Sequence, residues 1–368
     1  MSNMNEKMRK KMILNELKIK NFRNYKEQEI KFLNGINLFV GQNAQGKTNI
    51  IEAIYMCAFG KSYRATKDIE VIRFNEDFCN IELNYEKNNI LNNLKLNINS
   101  LNKKEIIKNG VKISKISDHV GDILVVIFSP DSLDIVKGAP GKRRAFIDMI
   151  CCQLSKSYLI MHQEYMKCLK LKNAMLKKDI VDKEYIYVLH EKMSNYILNI
   201  VNFRKNTINK LLEKAKVIEQ ELTNKKEEIN IEYVSDFLGL DKENIKKYLD
   251  DHLYIDILRK SSIKGIQRDD INIYVNNLEV GKYGSQGQNR TALLTLKLAD
   301  FEVLREEKED LPILLLDDIM SELDSTRINY LLKYIENYQS IITTTDSSFV
   351  ENVDNIQILK VLNGTLEK

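Results

Sequence analysis

The sequence predicts an α/β fold, a mixed sheet with flanking helices, that is split by a long helical insertion. Three observations lead to this prediction. A short buried strand, a glycine-rich loop and an apolar helix follow one another within residues 35–59. No proline occurs between Pro140 and Pro312, so long helices in that region are not interrupted. Apolar strands then return, most clearly at residues 313–316.

A chain of 368 residues is longer than one small module, and we assign three segments to it. Residues 1–129 and 262–368 are predicted to form the two halves of the α/β domain, and residues 130–261 the helical insertion. With 43% hydrophobic and 29% charged residues, the chain can bury a sizeable core. The longest apolar run, residues 53–59, is far shorter than the roughly 18 residues of a membrane span, and no secretory signal is evident. We therefore expect a cytoplasmic protein with no membrane partner.

Strands and hairpins are predicted in the first third of the chain. Leu17 and Ile19 alternate with lysines, and apolar residues alternate with polar ones over residues 94–98, which is the period of a half-buried strand. Asn109 and Gly110 stand between two β-type segments and predict a tight hairpin turn.

The middle of the chain is predicted to be helical. Apolar residues recur at spacings of three and four over residues 184–222, except where Arg204 interrupts the stripe. Such a helix would be about 60 Å long. It could project as a coiled-coil arm or pack within a helical subdomain, and the sequence leaves both alternatives open.

The last part of the chain returns to alternating strands and helices. We predict a strand through Ile271, Ile273 and Val275, a turn at Asn276-Asn277 and a strand resuming at Val280. A helix at 289–304, a strand at 313–316, a further helix and a strand at 341–344 complete the α/β domain.

Charge is distributed unevenly, although the net charge is only +4. Residues 137–178 contain ten Lys or Arg residues against Asp148 and Glu164. A block of this kind is typical either of a polyanion-binding surface or of a solvated helix face. Lys142, Arg143 and Arg144 are our candidates for contact with the phosphates of such a polyanion; the alternative is a charge cluster at a helix start that serves a nucleotide-bound dimer.

Metal sites built from cysteine or histidine are not indicated. The five cysteines include no C-x-x-C pair, and the four histidines are scattered singly. The chemistry is therefore expected to use carboxylates, lysine, hydroxyl groups and backbone amides.

A complete G-x-x-x-x-G-K-T motif lies between the buried strand and the apolar helix. Its glycines let the backbone wrap a triphosphate, and the helix start supplies positive potential. Lys47 is expected to reach the β and γ phosphates, and Thr48 to offer a hydroxyl to Mg²⁺. The predicted nucleotide-binding residues here are Gly41, Gln42, Asn43, Ala44, Gln45, Gly46, Lys47, Thr48 and Asn49.

The strand at 313–316 ends in two carboxylates, Asp317 and Asp318. At the carboxyl end of a strand beside a phosphate loop, one carboxylate can hold Mg²⁺ and a second can orient the attacking water. We assign Asp317, with Thr48, to the metal and Asp318 to the water. Lys47, Asp317 and Asp318 are thus the predicted catalytic residues.

A second helix start carries Ser285-Gln286-Gly287-Gln288, which matches the S-x-G-Q core of the ABC signature. Its hydroxyl and its glycine amide suit a γ-phosphate, although a simple helix cap is the alternative. The order of phosphate loop, helical insertion, signature, Asp-Asp strand and the loop at 321–324 is that of ABC-type ATPases. In that class the signature acts on the nucleotide of a second subunit, which implies a dimer with Ser285, Gly287 and Gln288 at the nucleotide.

The sequence as a whole resembles the RecF family, SMC-related ATPases of bacterial recombination and gap repair. The segments that carry the resemblance, in chain order, are Asn21-Phe22-Arg23-Asn24-Tyr25, the loop GQNAQGKTN with IEAIY after it, Gly60-Lys61-Ser62-Tyr63-Arg64, Phe128-Ser129-Pro130-Asp131, Val136-Lys137-Gly138, Arg143-Arg144, residues 284–288 and residues 314–324.

The resemblance implies an ABC-type ATPase head in which the insertion forms lobe II. It implies ATP and Mg²⁺ as ligands, and an ATP-induced homodimer that clamps DNA until weak, DNA-stimulated hydrolysis releases it. The implied partners are duplex and gapped DNA, including its single-stranded part, together with RecO and RecR. With DNA as the polyanion, Lys142, Arg143 and Arg144 are the candidates for contact with its phosphates. The implied role is recombinase loading in replication-gap repair, DNA damage repair and the SOS response.

This chain departs from the family pattern in two places, and in a third it differs from transporter ATPases. Ile266 and Gln267 stand where the family usually has Pro and His, so this chain has no histidine at that position. Asn289 replaces a common glutamine. Asp318 stands where transporter ATPases carry glutamate, which agrees with slow hydrolysis.

Other functions fit the sequence less well. A transporter ATPase needs a glutamine loop and a switch histidine, but no glutamine occurs between Gln45 and Gln153, and Asp346 follows the strand at 341–344. A full SMC protein needs a far longer coiled coil, and residues 224–227 lack the aspartate that reads guanine in GTPases. A DNA clamp in which ATP is only a dimerisation ligand remains an alternative.

Overall fold

The computed structural model describes residues 12–101, 103–350 and 354–367. In chain order the strands are β1 (Met12–Phe22), β2 (Tyr25–Lys31), β3 (Ile36–Val40), β4 (Phe78–Lys87), β5 (Ile90–Asn99), β6 (Lys104–Lys108), β7 (Val111–Lys112), β8 (Val125–Phe128), β9 (Ile229–Val234), β10 (Asp270–Val275), β11 (Leu278–Glu279), β12 (Ile313–Asp317), β13 (Ser340–Thr344), β14 (Ile356–Leu362) and β15 (Thr365–Glu367). The α-helices are α1 (Lys47–Phe59), α2 (Asp134–Lys137), α3 (Pro140–Leu154), α4 (Lys156–Leu176), α5 (Lys183–Leu222), α6 (Lys242–Asp251), α7 (Leu253–Arg259), α8 (Val280–Tyr283), α9 (Gln286–Lys308) and α10 (Ser325–Ile335).

The chain divides into two units. Unit 1 contains Met1–Ser132 and Asp300–Lys368, and unit 2 contains Leu133–Ala299. Among the described residues, none of the helices is both long and apolar enough to span a lipid bilayer.

Unit 1 contains two six-stranded sheets. The first is antiparallel, with the order β2-β1-β4-β5-β6-β7. The second has the order β15-β14-β3-β13-β12-β8, in which only β15 runs antiparallel to its neighbour. Every residue of β8, β12 and β13 is buried, as expected for parallel strands covered on both faces. The predicted mixed sheet with flanking helices is confirmed.

Unit 2 combines most of the helices with a three-stranded antiparallel sheet, in the order β11-β10-β9. Helix α5 has 40 residues and packs against α3, α4, α6 and β9. It buries side chains along nearly its whole length, from Ile186 to Glu219. The helix therefore packs within a helical subdomain, and the alternative of a freely projecting coiled-coil arm is wrong.

Arg204, which interrupts the apolar stripe of α5, is buried inside unit 2 with 2% of its surface exposed. Its guanidinium contacts Asp148 on α3 at 2.8 Å and Asp269, just before β10, at 2.8 Å. An unpaired charge in such a position would cost several kcal/mol, on the order of 3–5. The two carboxylates therefore allow a buried cation to hold α3 and the segment before β10 against α5.

The second domain boundary lies further along the chain than the predicted residue 262. Strand β10 pairs with β9, from Asp270 opposite Val234 to Val275 opposite Ile229, and so belongs to unit 2. The boundary falls inside α9, where neither glycine nor proline marks it. About a third of the segment assigned to the second α/β half therefore changes unit, including the signature.

Two local predictions need correction, and one pair of strands was missed. Strand β9 lies in a segment predicted to be helical, and its pairing partner β10 comes after two further helices. Val280 begins the short helix α8 instead of a strand. The hairpin of β14 and β15 was not predicted, although β14 pairs along its length with β3, the strand that leads into the phosphate loop.

Candidate active site

The phosphate loop connects β3 to α1. Ala44 and Gly46 take the left-handed backbone conformation, with φ angles of 66° and 112°. A Cβ atom at Gly46 would lie 2.5 Å from the side-chain amide of Asn24, and one at Gly41 would collide with the carbonyl oxygen of Val361. Both motif glycines are therefore required by the close approach of neighbouring chain segments.

The loop is held from one side by Asn24, in the β1–β2 turn, and by Tyr25, the first residue of β2. The Asn24 amide donates to the carbonyl of Gln45 at 2.8 Å and accepts from the side-chain amide of Asn49 at 2.8 Å. The hydroxyl of Tyr25 donates to the carbonyl of Gly46 at 3.2 Å. In the sequence these two residues carry only a family resemblance, and the structure gives them a physical role.

The β14–β15 hairpin holds the loop at a second point. The backbone N–H of Gly364 donates to the Gln45 carbonyl at 3.0 Å, and that of Asn363 donates to the Gln45 side-chain oxygen at 2.6 Å. Gln45 thus joins the loop to a turn more than three hundred residues further along the chain. No local pattern in the sequence could show this contact.

Lys47, the first residue of α1, is buried, with 6% of its surface exposed. Its ammonium donates to the loop carbonyls of Gly41 at 2.5 Å and Gln42 at 3.0 Å. Burial lowers the pKa of Lys47, and Asp318 and Asp317 partly offset this. The ammonium therefore lies at the loop with two nearby carboxylates.

The predicted metal residues are in direct contact. The Thr48 hydroxyl donates to Oδ1 of Asp317 at 2.7 Å, across 269 positions of sequence. The hydroxyl of Thr343, at the end of β13, donates to the same oxygen at 2.8 Å. Because β13 lies between β3 and β12 in the parallel sheet, the carboxyl ends of these strands meet at one edge.

The other oxygen of Asp317 accepts a hydrogen bond from a residue that sequence reasoning did not assign. The Tyr63 hydroxyl donates to Oδ2 at 3.1 Å. Tyr63 belongs to the segment after α1, which in the sequence carries only a family resemblance. An aromatic residue in a loop gives no local signal of a contact with a carboxylate far along the chain.

Asp318 has an unusual backbone, with φ 52° in the left-handed region. Its N–H lies within hydrogen-bond distance of both the carbonyl and the hydroxyl of Thr343. Within the described residues, its buried Oδ1 has no hydrogen-bond partner. Burial raises the pKa of Asp318, Asp317 and Glu322 raise it further, and Lys47 opposes them. The carboxylate thus retains an acceptor for a further donor.

The signature residues lie in unit 2 at the start of α9. The Ser285 hydroxyl accepts from the N–H of Gln288 at 3.1 Å, and the Gln288 side-chain oxygen accepts from the N–H of Ser285 at 2.9 Å. This is a reciprocal capping box. The Gln288 amide also donates to Glu227 at 2.9 Å, and Asn289 donates to the carbonyls of Gly284 and Ser285.

The three candidate DNA-contact residues make different contacts from one another. Arg143 forms a two-point ion pair with Asp270, at 2.7 and 2.9 Å, and Arg144 donates to the carbonyl of Asp269 at 2.8 Å. Lys142 is exposed and lies 3.2 Å from Asp134. The two arginines therefore contribute to the packing of unit 2, whereas Lys142 retains an exposed charge.

The segment that departs from the family pattern is ordered by its own contacts. Gln267 accepts a hydrogen bond from the Tyr165 hydroxyl and donates to the carbonyl of Lys264 at 3.0 Å. Ile266 is buried. The replacements of Pro and His by Ile and Gln are thus accommodated inside unit 2.

The residues gathered in unit 1 fit a nucleotide and Mg²⁺. Thr48 and Asp317 supply a hydroxyl and a carboxylate, and Mg²⁺ in nucleotide sites takes such oxygen ligands together with phosphate oxygens. The start of α1 supplies the positive end of a helix dipole. Lys47 supplies a positive charge beside it.

This combination of fold and site defines an ATPase head of the ABC type. The solved SMC head domain of Pyrococcus furiosus, with an extended coiled coil, is similar in fold, with a TM-score of 0.57 and 18% identity over 97% of this chain and 95% of that one. A family model described as an AAA domain matches residues 16–343.

The particular family follows from closer relatives. The DNA replication and repair protein RecF of Clostridium perfringens (strain SM101 / Type A) is 40% identical, over 97% of this chain and all of that protein. The RecF of Clostridium acetobutylicum is 37% identical over 96% and 99%. A solved structure described as the recombination mediator protein RecF-ATP in the RecFOR pathway has a TM-score of 0.89 and 34% identity, and covers 97% of each chain. The chain belongs to the RecF family of DNA replication and repair proteins.

Proposed function

We propose that this protein is an ATP-dependent DNA-binding ATPase of replication-gap and recombinational repair. The observation that carries the proposal is the 2.7 Å hydrogen bond between Thr48 and Asp317. This bond joins the phosphate-loop motif to the carboxylate at the end of β12, which supports a site for nucleotide hydrolysis with Mg²⁺. The RecF relatives, one of them solved with ATP, support ATP as the nucleotide.

The nucleotide would be held by the loop from Gly41 to Asn49. Thr48 and Asp317 would hold Mg²⁺, which when bound neutralises charge that develops on the phosphate oxygens. Lys47 exchanges its loop carbonyls for phosphate oxygens, because a charge-assisted bond to an anion is stronger than one to a neutral carbonyl. Asp318 accepts a proton from the attacking water and orients it, through the Oδ1 atom that lacks a partner within the described residues.

We further propose that the active form is a dimer. Each nucleotide would lie between the phosphate loop of one copy and Ser285, Gly287 and Gln288 of the other. The support is that the signature caps a helix start with a hydroxyl, and this hydroxyl keeps its own proton to donate to a phosphate. Closure of the dimer on ATP would clamp DNA, and slow hydrolysis would release it.

The proposed partners are duplex and gapped DNA, with RecO and RecR as protein partners in recombinase loading. The name of the solved relative, which refers to the RecFOR pathway, supports the protein partners. DNA contact would be mainly to phosphates and would weaken steeply with salt. Among the candidate residues, the exposed charge of Lys142 favours it over Arg143, which is paired with Asp270.

The deciding experiment measures the oligomeric state with ATP, with ADP and without nucleotide, each with and without gapped DNA. We expect a dimer only with ATP and Mg²⁺, and DNA retained by that dimer. A protein that stays monomeric at saturating ATP and Mg²⁺, even with gapped DNA present, would refute the proposal.

The variant Asp318→Asn separates two forms of this function. If hydrolysis is the release step, the variant forms the ATP dimer, keeps it on DNA and stops turnover. If gap repair proceeds normally with Asp318→Asn, ATP is only a dimerisation ligand and the clamp interpretation replaces the hydrolytic one.

The DNA contact is tested by salt dependence. Alanine at Lys142 should weaken DNA binding and reduce the magnitude of the salt slope by about one phosphate contact. The triple replacement of Lys142, Arg143 and Arg144 adds a folding defect, because Arg143 is paired with Asp270, and its melting temperature must be measured alongside. An unchanged salt slope in both variants would reject this surface.

A further inference from the structure

The Asp317 carboxylate receives hydrogen bonds on both of its oxygens. Thr48 and Thr343 donate to Oδ1, at 2.7 and 2.8 Å. Tyr63 donates to Oδ2 at 3.1 Å. Two donors on one oxygen and one on the other fix both the position and the rotation of the carboxylate, because a single contact would leave it free to turn about its Cβ–Cγ bond.

The segment that carries Tyr63 is itself anchored to α1. Glu52, on α1, is fully buried and accepts from Ser62 at 2.5 Å and from Arg64 at 3.4 Å. The Tyr63 ring packs edge-on against the ring of Tyr55, with centroids 5.1 Å apart. Residues on both sides of Tyr63 are therefore held, so that its hydroxyl has a defined direction.

Glu52 is held in turn by the β1–β2 turn. Arg23 donates to both Glu52 oxygens, at 2.6 and 2.9 Å. Arg64 also donates to the side-chain oxygen of Asn49, next to Thr48, at 3.0 Å. One buried carboxylate on α1 thus links the first turn of the chain, the start of α1 and the segment that presents Tyr63.

We propose that Tyr63 is a positioning residue that orients the Asp317 carboxylate toward Mg²⁺-ATP. The inference rests on the proposed function and adds a residue to its metal site. Tyr63 would contact neither nucleotide nor metal, and would act through the second oxygen of Asp317. Hydrogen-bonded partners of a metal-binding carboxylate commonly change metal affinity by about 10–100-fold when removed.

One further feature agrees with this role. No glutamine occurs between Gln45 and Gln153, so the glutamine loop of transporter ATPases is not available to contact this site. A tyrosine hydroxyl supplies a donor from another segment.

The test uses Tyr63→Phe, which removes the hydroxyl and keeps the ring beside Tyr55. Binding of a fluorescent ATP analogue to the full-length protein is titrated with Mg²⁺ at fixed nucleotide. We expect the half-saturating Mg²⁺ concentration to rise about tenfold, with full binding recovered at high Mg²⁺. The melting temperature without nucleotide and Mg²⁺ should stay close to that of the wild type. Tyr254→Phe, the same change at an exposed tyrosine of α7, is the control and should match the wild type in both measurements.

The outcomes are distinct. If the half-saturating Mg²⁺ concentration of Tyr63→Phe is equal to or below that of the wild type, the proposal is overturned. A binding defect that high Mg²⁺ does not correct also overturns it, because the hydroxyl would then support the fold and not the metal carboxylate. If the wild type itself binds the analogue without any dependence on Mg²⁺, the proposed function fails and this inference fails with it. The inference is supported if the Tyr63→Phe curve is shifted to higher Mg²⁺ and reaches the same maximum as the wild type, while the Tyr254→Phe curve is not shifted.

Discussion

Two helix starts in this molecule carry anion-binding motifs, and they are built differently. Helix α1 is preceded by Gly46, which has no side chain with which to cap the first turn. Helix α9 is preceded by Ser285, whose hydroxyl already accepts from the N–H of Gln288. The first helix start is therefore left for an external acceptor, whereas the second is partly satisfied by its own sequence.

The contacts around the two helix starts differ in the same way. The phosphate loop accepts hydrogen bonds from distant parts of unit 1, namely from Asn24, from Tyr25 and from the turn at Asn363 and Gly364. The signature has its capping box and a contact with Glu227 in unit 2. We infer that the loop is shaped in advance for a ligand of its own subunit, and that the signature is a simpler capped helix start suited to a ligand brought by another copy.

The largest effect is expected from Gly46→Ala. The left-handed backbone costs alanine about 1–2 kcal/mol, and its Cβ would in addition lie 2.5 Å from the Asn24 amide. We expect ATP binding to weaken by about 100-fold or more, measured by titration with a fluorescent analogue.

Gly110→Ala is the matched control for that variant. Gly110 has φ 79°, and a Cβ there would meet nothing within 4 Å. In a urea unfolding curve, Gly110→Ala should show the lower free energy of unfolding that a left-handed alanine causes. Its ATP binding should be unchanged. Equal loss of ATP binding in both variants would mean that the loop does not depend on its contact with Asn24.

The signature is tested by two replacements of Ser285. Ser285→Asp keeps a capping acceptor and favours the helix dipole, but its negative charge repels a phosphate. Ser285→Ala removes the cap, at about 1 kcal/mol. We expect Ser285→Asp to retain its melting temperature and to lose the ATP-dependent dimer in analytical ultracentrifugation, and Ser285→Ala to lose some of both. A normal dimer in Ser285→Asp would show that this helix start does not meet the nucleotide.

The sequence predicted the elements that depend on local patterns. The phosphate loop, the strand ending at Asp317 and the long helix α5 each follow from a motif or a period within one segment. The structure confirms the mixed sheet around them. Even the interruption of α5 at Arg204 was visible, although its partners Asp148 and Asp269 were not.

The features that local patterns did not predict depend on contacts between distant segments. Strand β9 has the alternating pattern of a short strand, but its partner β10 follows two helices. Val280 continues an apolar alternation, yet it lies in a one-turn helix where a Cβ on the next residue, Gly281, would collide with the Val136 carbonyl. Asn24 and Tyr63 reach the site only through folding. Such contacts are set by packing, which local spacing does not encode.

Asn24→Ala should have an intermediate effect. It removes the 2.8 Å contact with the Gln45 carbonyl and leaves the Asn49 amide without its acceptor. Losing one or two such bonds costs about 1–2 kcal/mol, so we expect ATP affinity to fall about 5–30-fold. Asn80→Ala, which removes a contact with Asn97 in the antiparallel sheet, should affect stability alone. If the two variants bind ATP equally well, the β1–β2 turn does not shape the loop.

The smallest effect is expected from Glu227→Ala. This variant removes the 2.9 Å contact with the Gln288 amide but leaves the capping box intact. A hydrogen bond of this kind contributes about 0.5–1.5 kcal/mol, which a urea unfolding curve of the full chain would detect. The neighbouring Glu228→Ala is the control, because its exposed pair with Lys216, at 3.8 Å, contributes little.

The dimer assay on Glu227→Ala then decides how far the two helix starts really differ. We expect the ATP-dependent dimer to form normally, because the cap and not Glu227 sets the geometry of the signature. If the dimer is lost while the unfolding curve barely shifts, the signature is shaped by a residue after α5 just as the phosphate loop is shaped by Asn24. The inferred difference, between a phosphate loop held by distant segments and a signature held by its own capping box, would then be wrong.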